Sequence, residues 1–562
     1  MKILTTVKCN TIKVILKPSL LLLASFFALL LLFTFHVIVP PSEATASGQA
    51  IWSTATEAVF KPFSTLDIPI FLLLFFFVLT SLFLLSIFAH YLGNNMVHSK
   101  NKDNFQVYNI IIWTCFLLLA WSPYFLSWLP GGIFSDTYNV INQGLGVAPL
   151  TNLHTVLYSI FWKMCICIAG MFGKGMFVSA LLALSIQSAV LAFVLSYTIF
   201  WLSRFGVNKK WCYLFLAFYG FFPLFPLFAL SHWKDVFFSA AALLYGLWYF
   251  DVWESVRIDY AKIARVVLAG IWVVFSRNNG LYVYALATVV LLVRVVVRCR
   301  SKSCSPHVAF SLFIPIFLSL VICLIIQGPV FNTLKLNVST TKESLGVPLQ
   351  QIARTMSTDK ADIPSEAREY FNALLPEDKW KDLYRPLLVD SIKWAPEFDE
   401  TLLSSTRLKF FMYYLEIGVR NPTIYLEAYL LSNAGFWDPA VGWDENVGYV
   451  QMTFWTPETT FGMHQVDLFQ NCFGFSLRGV LSPAFYISPA VFSWILFVSV
   501  AISLINRNGY VYGFIPFLML LATLFIASPL AYSLRYTFTL VSAIPVFAFL
   551  AVVPRGRRQR EK

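Results

Sequence analysis

The residues that could do chemistry are concentrated in one polar stretch, WLPGGIFSDTYNVINQGLGVAPLTNLHTVLY, which occupies positions 128–158 after a long apolar segment. It contains a single acid, Asp136, followed by Gln143 and His154. A carboxylate here can accept a proton from a hydroxyl group while that hydroxyl attacks an activated carbon. The alternative is that Ser135 or Asp136 caps a short helix, but capping leaves the polar side chains further along the loop unexplained. We therefore predict that Asp136 is a catalytic base.

Charged residues that interrupt apolar runs elsewhere are the other candidates. His154 is either a cap or surface histidine, or it binds a lipid phosphate or orients the acid. Lys234 and Asp235 stand at the end of a predicted span, where a topological signal or an ion pair is the alternative. Arg277 lies in the polar turn SRNNG and could clamp a phosphate with two hydrogen bonds. Arg535 interrupts the last apolar run, which is costly unless the side chain reaches water or meets an anion.

A second polar segment, STTKESLGVPLQQIAR at 339–354, follows a predicted span. It is either an ordinary amphipathic helix or one wall of a cleft. The residues predicted to line such a cleft are Gln143, Glu343, Gln350, Gln351 and Arg354. No glycine-rich nucleotide loop, zinc-ligand spacing or Ser-His-Asp elbow occurs, which fits a substrate activated on a lipid rather than on a nucleotide.

Composition determines the class of protein. The chain has 562 residues, of which 58% are hydrophobic and 12% are charged. Soluble domains carry about 25% charged residues, so an integral membrane protein is predicted. The net charge of +12 comes mainly from the termini and short loops, which indicates membrane topology and not nucleic-acid binding. Nine scattered cysteines suggest no disulfide framework.

About twelve apolar segments are long enough to be spans. They lie at about 15–39, 67–92, 107–129, 176–202, 211–230, 235–252, 261–277, 280–298, 308–327, 484–505, 510–528 and 531–553. We interpret 155–172 as an interfacial helix, because a central Lys163 costs about 3 kcal/mol in a span. Both termini and the basic loops then become cytoplasmic, and the candidate residues share the exoplasmic face. The first span is predicted to be retained, although an A-x-A-like sequence at 44–46 makes cleavage the alternative.

These assignments divide the chain into four parts. Residues 1–106 are an N-terminal addition of two spans, and 107–327 form a transmembrane core whose first exoplasmic loop is 130–175. Residues 328–483 form a mainly helical exoplasmic domain resting on the bilayer surface. Residues 484–562 contain the last spans and a basic cytoplasmic tail.

Three helices are predicted within the exoplasmic domain. The first is capped by Ser365 and ends before Pro376, and the third has Asn421 as its N-cap and Pro422 at its first position. The second presents an apolar stripe made by Leu408, Phe411, Met412, Leu415 and Val419.

The loop pattern PGG-x-x-SD, followed by Gln143, Asn152-Leu153-His154 and an apolar helix, resembles the first exoplasmic loop of GT-C glycosyltransferases. In protein O-mannosyltransferases and aminoarabinose transferases an acid there precedes an H-P-P-L-like segment; here LHTVL stands without the prolines. More closely, PGG-x-x-SD, WKD, RNNG, ES-L-G-V-P-L-QQ-I-A-R and a late R-Y resemble a bacterial family of large membrane proteins assigned to the GT-C fold by similarity. The resemblance covers about residues 107–553.

The resemblance implies a GT-C-like polytopic fold and an inverting sugar transfer in the cell membrane. The donor would be a polyprenyl-phosphate sugar and the acceptor a cell-envelope glycan, lipid or protein, with Asp136 as acid-base residue. The second loop acid of that family is not clearly identifiable here; Asp235 is the nearest candidate, so a requirement for a divalent cation stays open. A transporter or flippase of lipid-linked saccharides, or a non-catalytic envelope-assembly protein, are the alternatives. A transporter predicts inverted repeats and polar residues at the bilayer midplane, neither of which is evident.

Overall fold

The computed structural model describes residues 18–38, 58–97, 105–255, 259–301, 306–336, 341–440, 461–481, 487–527, 531 and 533–553. The described chain is almost entirely α-helical; its only sheet pairs two antiparallel two-residue strands, β1 (Val37–Ile38) and β2 (Val59–Phe60). The predicted all-α class is therefore confirmed. The A-x-A-like sequence at 44–46 and the basic tail at 554–562 lie outside the described residues.

Apolar helices make up the first part of the fold. Their bounds are α1 (Pro18–Thr34), α2 (Asp67–Met96), α3 (Tyr108–Ser127), α4 (Ser135–Leu145), α5 (Val156–Met171), α6 (Met176–Arg204), α7 (Lys209–Phe221), α8 (Leu224–Leu230), α9 (Lys234–Trp253), α10 (Tyr260–Ser276), α11 (Gly280–Arg300) and α12 (Pro306–Ile325). α12 continues through a π-helical turn, Ile326–Val330, into a last helical turn, Phe331–Thr333.

Within the described residues, six helices are long and apolar enough to cross a membrane: α2, α3, α6, α9, α11 and the continuous segment Phe310–Thr333. α7 and α8 qualify together as a seventh span that is bent by 50°. Four more helical segments are apolar but shorter: α1, α5, Pro489–Ile505 and Val511–Ala527. The helices are those of a multi-pass membrane protein, while the count of twelve spans stays a prediction.

The predicted interfacial segment corresponds to α5, which has 16 residues. At about 1.5 Å per residue such a helix is shorter than a hydrocarbon core of ~30 Å. α5 packs against α4 and α6, and the exposed Lys163 lies near its middle. α5 by itself is therefore shorter than a typical span, and its orientation along the interface stays a prediction.

α9 is the central helix of the apolar bundle. It packs against α6 and α10, and 83% of the residues in its apolar stretch are buried within the protein. Its first two residues are Lys234 and Asp235. Two of the predicted site residues therefore stand at the N-terminus of the most buried of the six candidate spans. Backbone N–H groups without helical partners favour negative charge there.

The helical domain, residues 341–437, has a hydrophobic core of its own. Its helices are α13 (Gly346–Met356), α14 (Ser365–Leu374), α15 (Glu377–Leu383), α16 (Asp390–Lys393), α17 (Glu400–Ser405), α18 (Arg407–Arg420), α19 (Pro422–Ser432) and α20 (Ala434–Trp437). The helix predicted beside Ser365 is confirmed, as is Pro422 at the first position of α19. Ser365 is the first helical residue after Pro364 and does not cap α14, and the side chain of Asn421 makes no capping hydrogen bond.

The apolar stripe predicted on the second helix faces away from the core of the domain. α18 buries Phe410 and Ile417. The side chains of the stripe are 43–83% exposed: Leu408, Phe411, Met412, Leu415 and Val419. The helix was predicted correctly, and the side that carries Phe410 and Ile417 makes the contacts with the core of the domain.

The C-terminal part returns to the apolar bundle. After the short helices α21 (Leu468–Phe473) and α22 (Arg478–Leu481) come α23 (Pro489–Ile505), α24 (Ile515–Ala527), α25 (Phe538–Ser542) and α26 (Ile544–Val552). A 3-10 turn, Val511–Phe514, precedes α24, and another, Leu534–Tyr536, precedes α25. The last apolar run is thus divided, and its first turn carries Arg535.

Candidate active site

The PGG segment ties the first loop to the chain that leads into α9. The N–H of Gly132 donates to the carbonyl oxygen of Leu230 at 3.0 Å, and the N–H of His232 donates to that of Gly132 at 3.0 Å. The His232 ring donates from Nε2 to the carbonyl oxygen of Pro130 at 2.8 Å. These bonds place the start of α4 beside the start of α9, so that Asp136 comes close to Lys234.

Gly131 allows this close approach. Its φ is +102°, and a Cβ atom at this position would lie 2.5 Å from the carbonyl oxygen of Leu230. We expect Gly131→Ala to destabilise the protein by roughly 2 kcal/mol or more, because it combines left-handed strain with a backbone clash. Gly170→Ala is the control, since no atom lies within 4 Å of a Cβ there. A shift of the detergent-unfolding midpoint that is equal in the two variants would contradict this account of the loop.

Asp136 is not a helix cap in the structure. α4 begins at Ser135 after Phe134, and no side chain caps it. The carboxylate accepts a hydrogen bond from Nη1 of Arg535, whose nitrogen lies 3.0 Å from Oδ2. Two residues almost four hundred positions apart are thereby joined. The alternative interpretation of Asp136 as a cap is therefore wrong.

Burial by itself would raise the pKa of the Asp136 carboxyl. The charges of Arg535 and Lys234 and the hydrogen bond from Arg535 together lower this pKa by a larger amount. The net result is a pKa well below the ordinary value, so the carboxylate is ionised throughout the physiological range. Arg535 also donates to the hydroxyl of Tyr536 at 2.6 Å and lies over the rings of Tyr536 and Trp233. These contacts hold the Arg535 guanidinium on several sides, and the guanidinium in turn fixes the position of the Asp136 carboxylate.

His154 and Lys234 form the second contact of the site. Nζ of Lys234 lies 3.3 Å from Nδ1 of His154, and the side-chain amide of Asn139 lies 3.5 Å from Nε2. The amide of Asn278 donates to the carbonyl oxygens of Asn152 and Leu153, at 3.2 and 3.4 Å, and so holds the histidine loop against α10. The histidine orients the lysine, as an acceptor for one of its protons.

Burial, followed by the charge of Lys234, lowers the pKa of His154 to about 4. The unfolded value is about 6.5, so the unfolded chain takes up this proton first as the pH falls. We therefore expect the stability contributed by neutral His154 to be complete above pH ~6.5 and to be lost towards pH ~4, by about 3 kcal/mol at most. Unfolding midpoints across this range would test the trend.

His154→Gln is the variant for that measurement. Its stability should fall less steeply than that of the unaltered protein as the pH is lowered. Buried His232, whose pKa burial lowers to about 4, supplies the slope that remains. An unchanged pH dependence in His154→Gln would contradict the assignment.

Asp235 and Arg277 form a buried ion pair rather than two free site groups. Nη1 of Arg277 lies 3.2 Å from Oδ1 of Asp235, and their side chains are 11% and 2% exposed. The two atoms are not aligned for a hydrogen bond. The guanidinium also lies 4.4 Å from the centroid of the Tyr536 ring. Arg277 thus sits beside Arg535 with Tyr536 between them, and its charge is offset by Asp235.

The five charged residues of this cluster are three cations and two carboxylates: Lys234, Arg277, Arg535, Asp136 and Asp235. Each arginine is paired with one carboxylate, so the charges of these two pairs cancel. Lys234 therefore carries the net positive charge of the cluster, and its partner is the neutral His154. The expected Lys234–Asp235 ion pair does not form among the described contacts, since Asp235 pairs with Arg277. An incoming anion would meet Lys234 first.

An apolar groove has Lys234 in its lining. Its volume is about 270 Å³, and it is lined by residues of α5, α9 and α10 and by the residue before α5. The apolar lining consists of Leu157, Tyr158, Ile160, Phe161, Met164, Phe237 and Trp272. Thr155, Ser276 and Lys234 are the polar members of the lining. A groove with apolar walls and one cation in its lining matches an amphiphile with a single anionic group.

The residues predicted to line a cleft are engaged elsewhere. The amide of Gln143 bonds to Thr151 and Ser159 and closes its own loop. Gln350 donates to the carbonyl oxygen of Arg385, and Gln351 to that of Tyr425. Those contacts lie inside the loop or the helical domain.

The same holds for the two charged members of that set. Arg354 pairs with Glu427 at 2.5 Å, and Glu343 lies 3.6 Å from Nζ of the buried Lys393. α13 packs in the core of the domain, and its polar side chains bond to other segments of that domain. None of these contacts joins the set to the cluster around Asp136, and their place along a cleft stays a prediction.

Three contributors to the site were not predicted. Tyr536 and Trp233 stand next to predicted residues in the R-Y and WKD motifs, so the motifs themselves contained the signal. Asp390 of the helical domain is within electrostatic range of Arg535 and Asp136, and no sequence signal pointed to it. In the part of the chain that the structure describes, no group of three His, Cys, Asp or Glu residues could hold a metal ion.

Residues 146–562 match the sequence profile of a family described as "Family of unknown function (DUF6020)", which is more than half of the chain. The matched region begins after Asp136 and includes His154, Lys234, Arg277 and Arg535. No curated protein and no solved structure matches the chain.

Proposed function

We propose that this chain, which belongs to the DUF6020 family of unknown function, is a membrane glycosyltransferase. The donor is a sugar linked to a polyprenyl phosphate, and the acceptor belongs to the cell envelope. The observation that carries the proposal is the apolar groove whose lining includes Lys234, with the Asp136–Arg535 pair close to that lysine. A lipid site and a potential proton acceptor are thereby adjacent.

The groove supports binding of part of a lipid chain. Its volume is slightly below the range of about 300–1,000 Å³ for ligand pockets, and its lining is almost wholly apolar. The lipid phosphate would meet Nζ of Lys234, and the N-terminus of α9 would add the favourable end of a helix dipole. Arg277 contributes to this field through its contacts with Asp235 and Tyr536.

The reaction is a single displacement. The acceptor hydroxyl attacks the anomeric carbon of the sugar, the new carbon–oxygen bond forms, and the bond from that carbon to the phosphate oxygen breaks. Polyprenyl phosphate leaves as an anion beside Lys234, and Asp136 accepts the hydroxyl proton. Since the nucleophile and the leaving group lie on opposite faces, the configuration inverts. A carboxylate of lowered pKa takes the proton late, when the new bond has made the hydroxyl more acidic.

On this proposal the fold is GT-C-like, with about twelve spans and α5 along the interface. Both termini are cytoplasmic, and residues 328–483 are exoplasmic. Lys234, His154, Asp136 and Arg535 then open to the face where lipid-linked sugars meet envelope acceptors. The close packing of the first loop on α9 supports a single site at this face.

The test uses the purified full-length protein in lipid nanodiscs with a panel of polyprenyl-phosphate sugars. We expect release of polyprenyl phosphate, by hydrolysis or by transfer of the sugar. The same panel in sealed vesicles reports movement of the donor across the bilayer. Movement without bond cleavage would overturn the proposal in favour of a transporter, and neither activity would favour a non-catalytic role.

A further inference from the structure

Thr155 has a backbone conformation that its side chain disfavours. It stands immediately before α5, with a φ of +68° and a ψ of 122°. Positive φ is uncommon for any residue that has a Cβ atom, and for a β-branched residue such as threonine it is a strained outlier. Such strain persists only where the surrounding structure imposes it, and it is concentrated at active sites and ligand sites. Thr155 therefore calls for a functional explanation.

The ordinary structural role of a threonine at this position is not performed here. A threonine at the N-cap of a helix normally accepts a hydrogen bond from a backbone N–H of the first turn. The Thr155 side chain makes no capping hydrogen bond, and the N–H of Val156 instead donates to Oδ1 of Asn152 at 3.4 Å. The start of α5 therefore does not depend on the Thr155 hydroxyl.

The Thr155 hydroxyl is buried without a partner. Thr155 is 2% exposed, and its Oγ1 forms no hydrogen bond with any residue that the structure describes. A buried hydroxyl without a hydrogen bond is destabilising, because it has lost its bonds to water and gained none in return. Thr155 belongs to the lining of the apolar groove, so a ligand held in the groove can supply the missing acceptor.

The free polar groups around Thr155 are hydrogen-bond donors. The N–H of Leu157, which also lines the groove, has no acceptor in the described part of the chain. Nδ1 of His154, the residue before Thr155, lies 3.3 Å from Nζ of Lys234, which lines the same groove. A hydroxyl, an ammonium group and a helix N-terminus together favour an anion with several oxygen atoms. A phosphate has that chemistry, whereas a neutral lipid alcohol offers one oxygen and no charge.

We propose that the hydroxyl of Thr155 donates a hydrogen bond to the phosphate of the lipid-linked donor. Lys234 binds this phosphate from the side of α9, and Thr155 binds it from the side of α5, together with the first turn of that helix. The inference rests on the proposed sugar transfer and adds a phosphate-binding residue to it. The phosphate gains charge when its bond to the sugar breaks, so these contacts strengthen during the reaction.

Binding of radiolabelled farnesyl phosphate to the full-length protein in lipid nanodiscs tests this contact. Thr155→Val keeps the branched shape and removes the hydroxyl, and we expect it to weaken binding by about 10- to 100-fold, the factor for a hydrogen bond to a charged group. Thr155→Ser keeps the hydroxyl and should bind nearly as tightly as the unaltered protein. Thr333→Val is the matched control, because Thr333 is exposed and its hydroxyl donates to the carbonyl oxygen of Pro329 in its own helical segment.

Thr155→Gly separates binding from folding. Glycine adopts positive φ without strain, so this variant should raise the detergent-unfolding midpoint while it weakens farnesyl phosphate binding as much as Thr155→Val does. Opposite changes of stability and binding are typical of a strained functional residue. A fall in both would show that Thr155 has a packing role and would overturn the proposal.

Farnesol and inorganic phosphate identify the group that is recognised. Farnesyl phosphate should bind at least about tenfold more tightly than farnesol, and inorganic phosphate at equal concentration should not displace it, because the apolar walls bind the chain. Unchanged binding in Thr155→Val, or equal binding of farnesol and farnesyl phosphate, would overturn the role of Thr155. Displacement by inorganic phosphate would assign the site to free phosphate and overturn the lipid ligand. If farnesyl phosphate binds as expected but no polyprenyl-phosphate sugar is cleaved, the proposed function fails and the phosphate site stands.

Discussion

Replacing Asp136 by Asn is expected to abolish sugar transfer while the protein still inserts into the membrane. The change is nearly isosteric, so Arg535 keeps an oxygen that can accept its hydrogen bond at the 3.0 Å position. What is lost is the ability to take a proton from the acceptor hydroxyl. Removal of a general base costs about 10²- to 10⁴-fold in rate. The rate of sugar transfer from donor to acceptor is the measurement.

Asp359→Asn is the matched control for this variant. The Asp359 side chain is 90% exposed and forms only a surface ion pair with Lys381 among the described residues. Such pairs contribute about 0–1 kcal/mol, so activity and stability should be unchanged. Full transfer activity in Asp136→Asn would remove the central claim, and loss of membrane insertion would show that the acid has a structural role instead.

Replacing Lys234 by Gln is expected to raise the KM for the donor by about 100-fold, with a smaller effect on the acceptor. Lys234 is the cation in the lining of the groove, whereas the charges of Arg277 and Arg535 are each paired with a carboxylate. The factor corresponds to the loss of a charge-assisted hydrogen bond to the phosphate. Lys234→Arg should restore part of the affinity, because it returns the charge at a different length.

Lys174→Gln is the control for this change, because Lys174 is exposed just before α6. It removes one positive charge from the protein without touching the groove. If both variants shift the donor KM equally, the effect is one of overall charge, and the assignment of Lys234 to the phosphate is wrong. A rise in the acceptor KM alone would place Lys234 on the other side of the reaction.

The sequence allowed the parts of the fold that depend on local patterns to be predicted. Composition and apolar length indicated a helical membrane protein, and the start of α14 beside Ser365 followed from spacing alone. α18 shows the limit of this reasoning. Its apolar stripe was predicted from spacing, yet Phe410 and Ile417 are the residues that the domain buries, while Leu415 is 63% exposed. A pattern shows that a helix is amphipathic, but not which neighbour covers each side.

The loop that contains Asp136 was identified from the sequence by itself, because an acid among glycine and amide residues next to an apolar run has no packing role there. Its partner was decided by tertiary structure: Arg535 is remote in sequence, and the loop backbone must first pair with the chain before α9. The same is true of the Asp235–Arg277 pair, which leaves Lys234 as the cation of the groove. Residue types and local spacing determine which groups are available for chemistry, whereas charge pairing depends on distances of a few ångströms that only the packed helices establish.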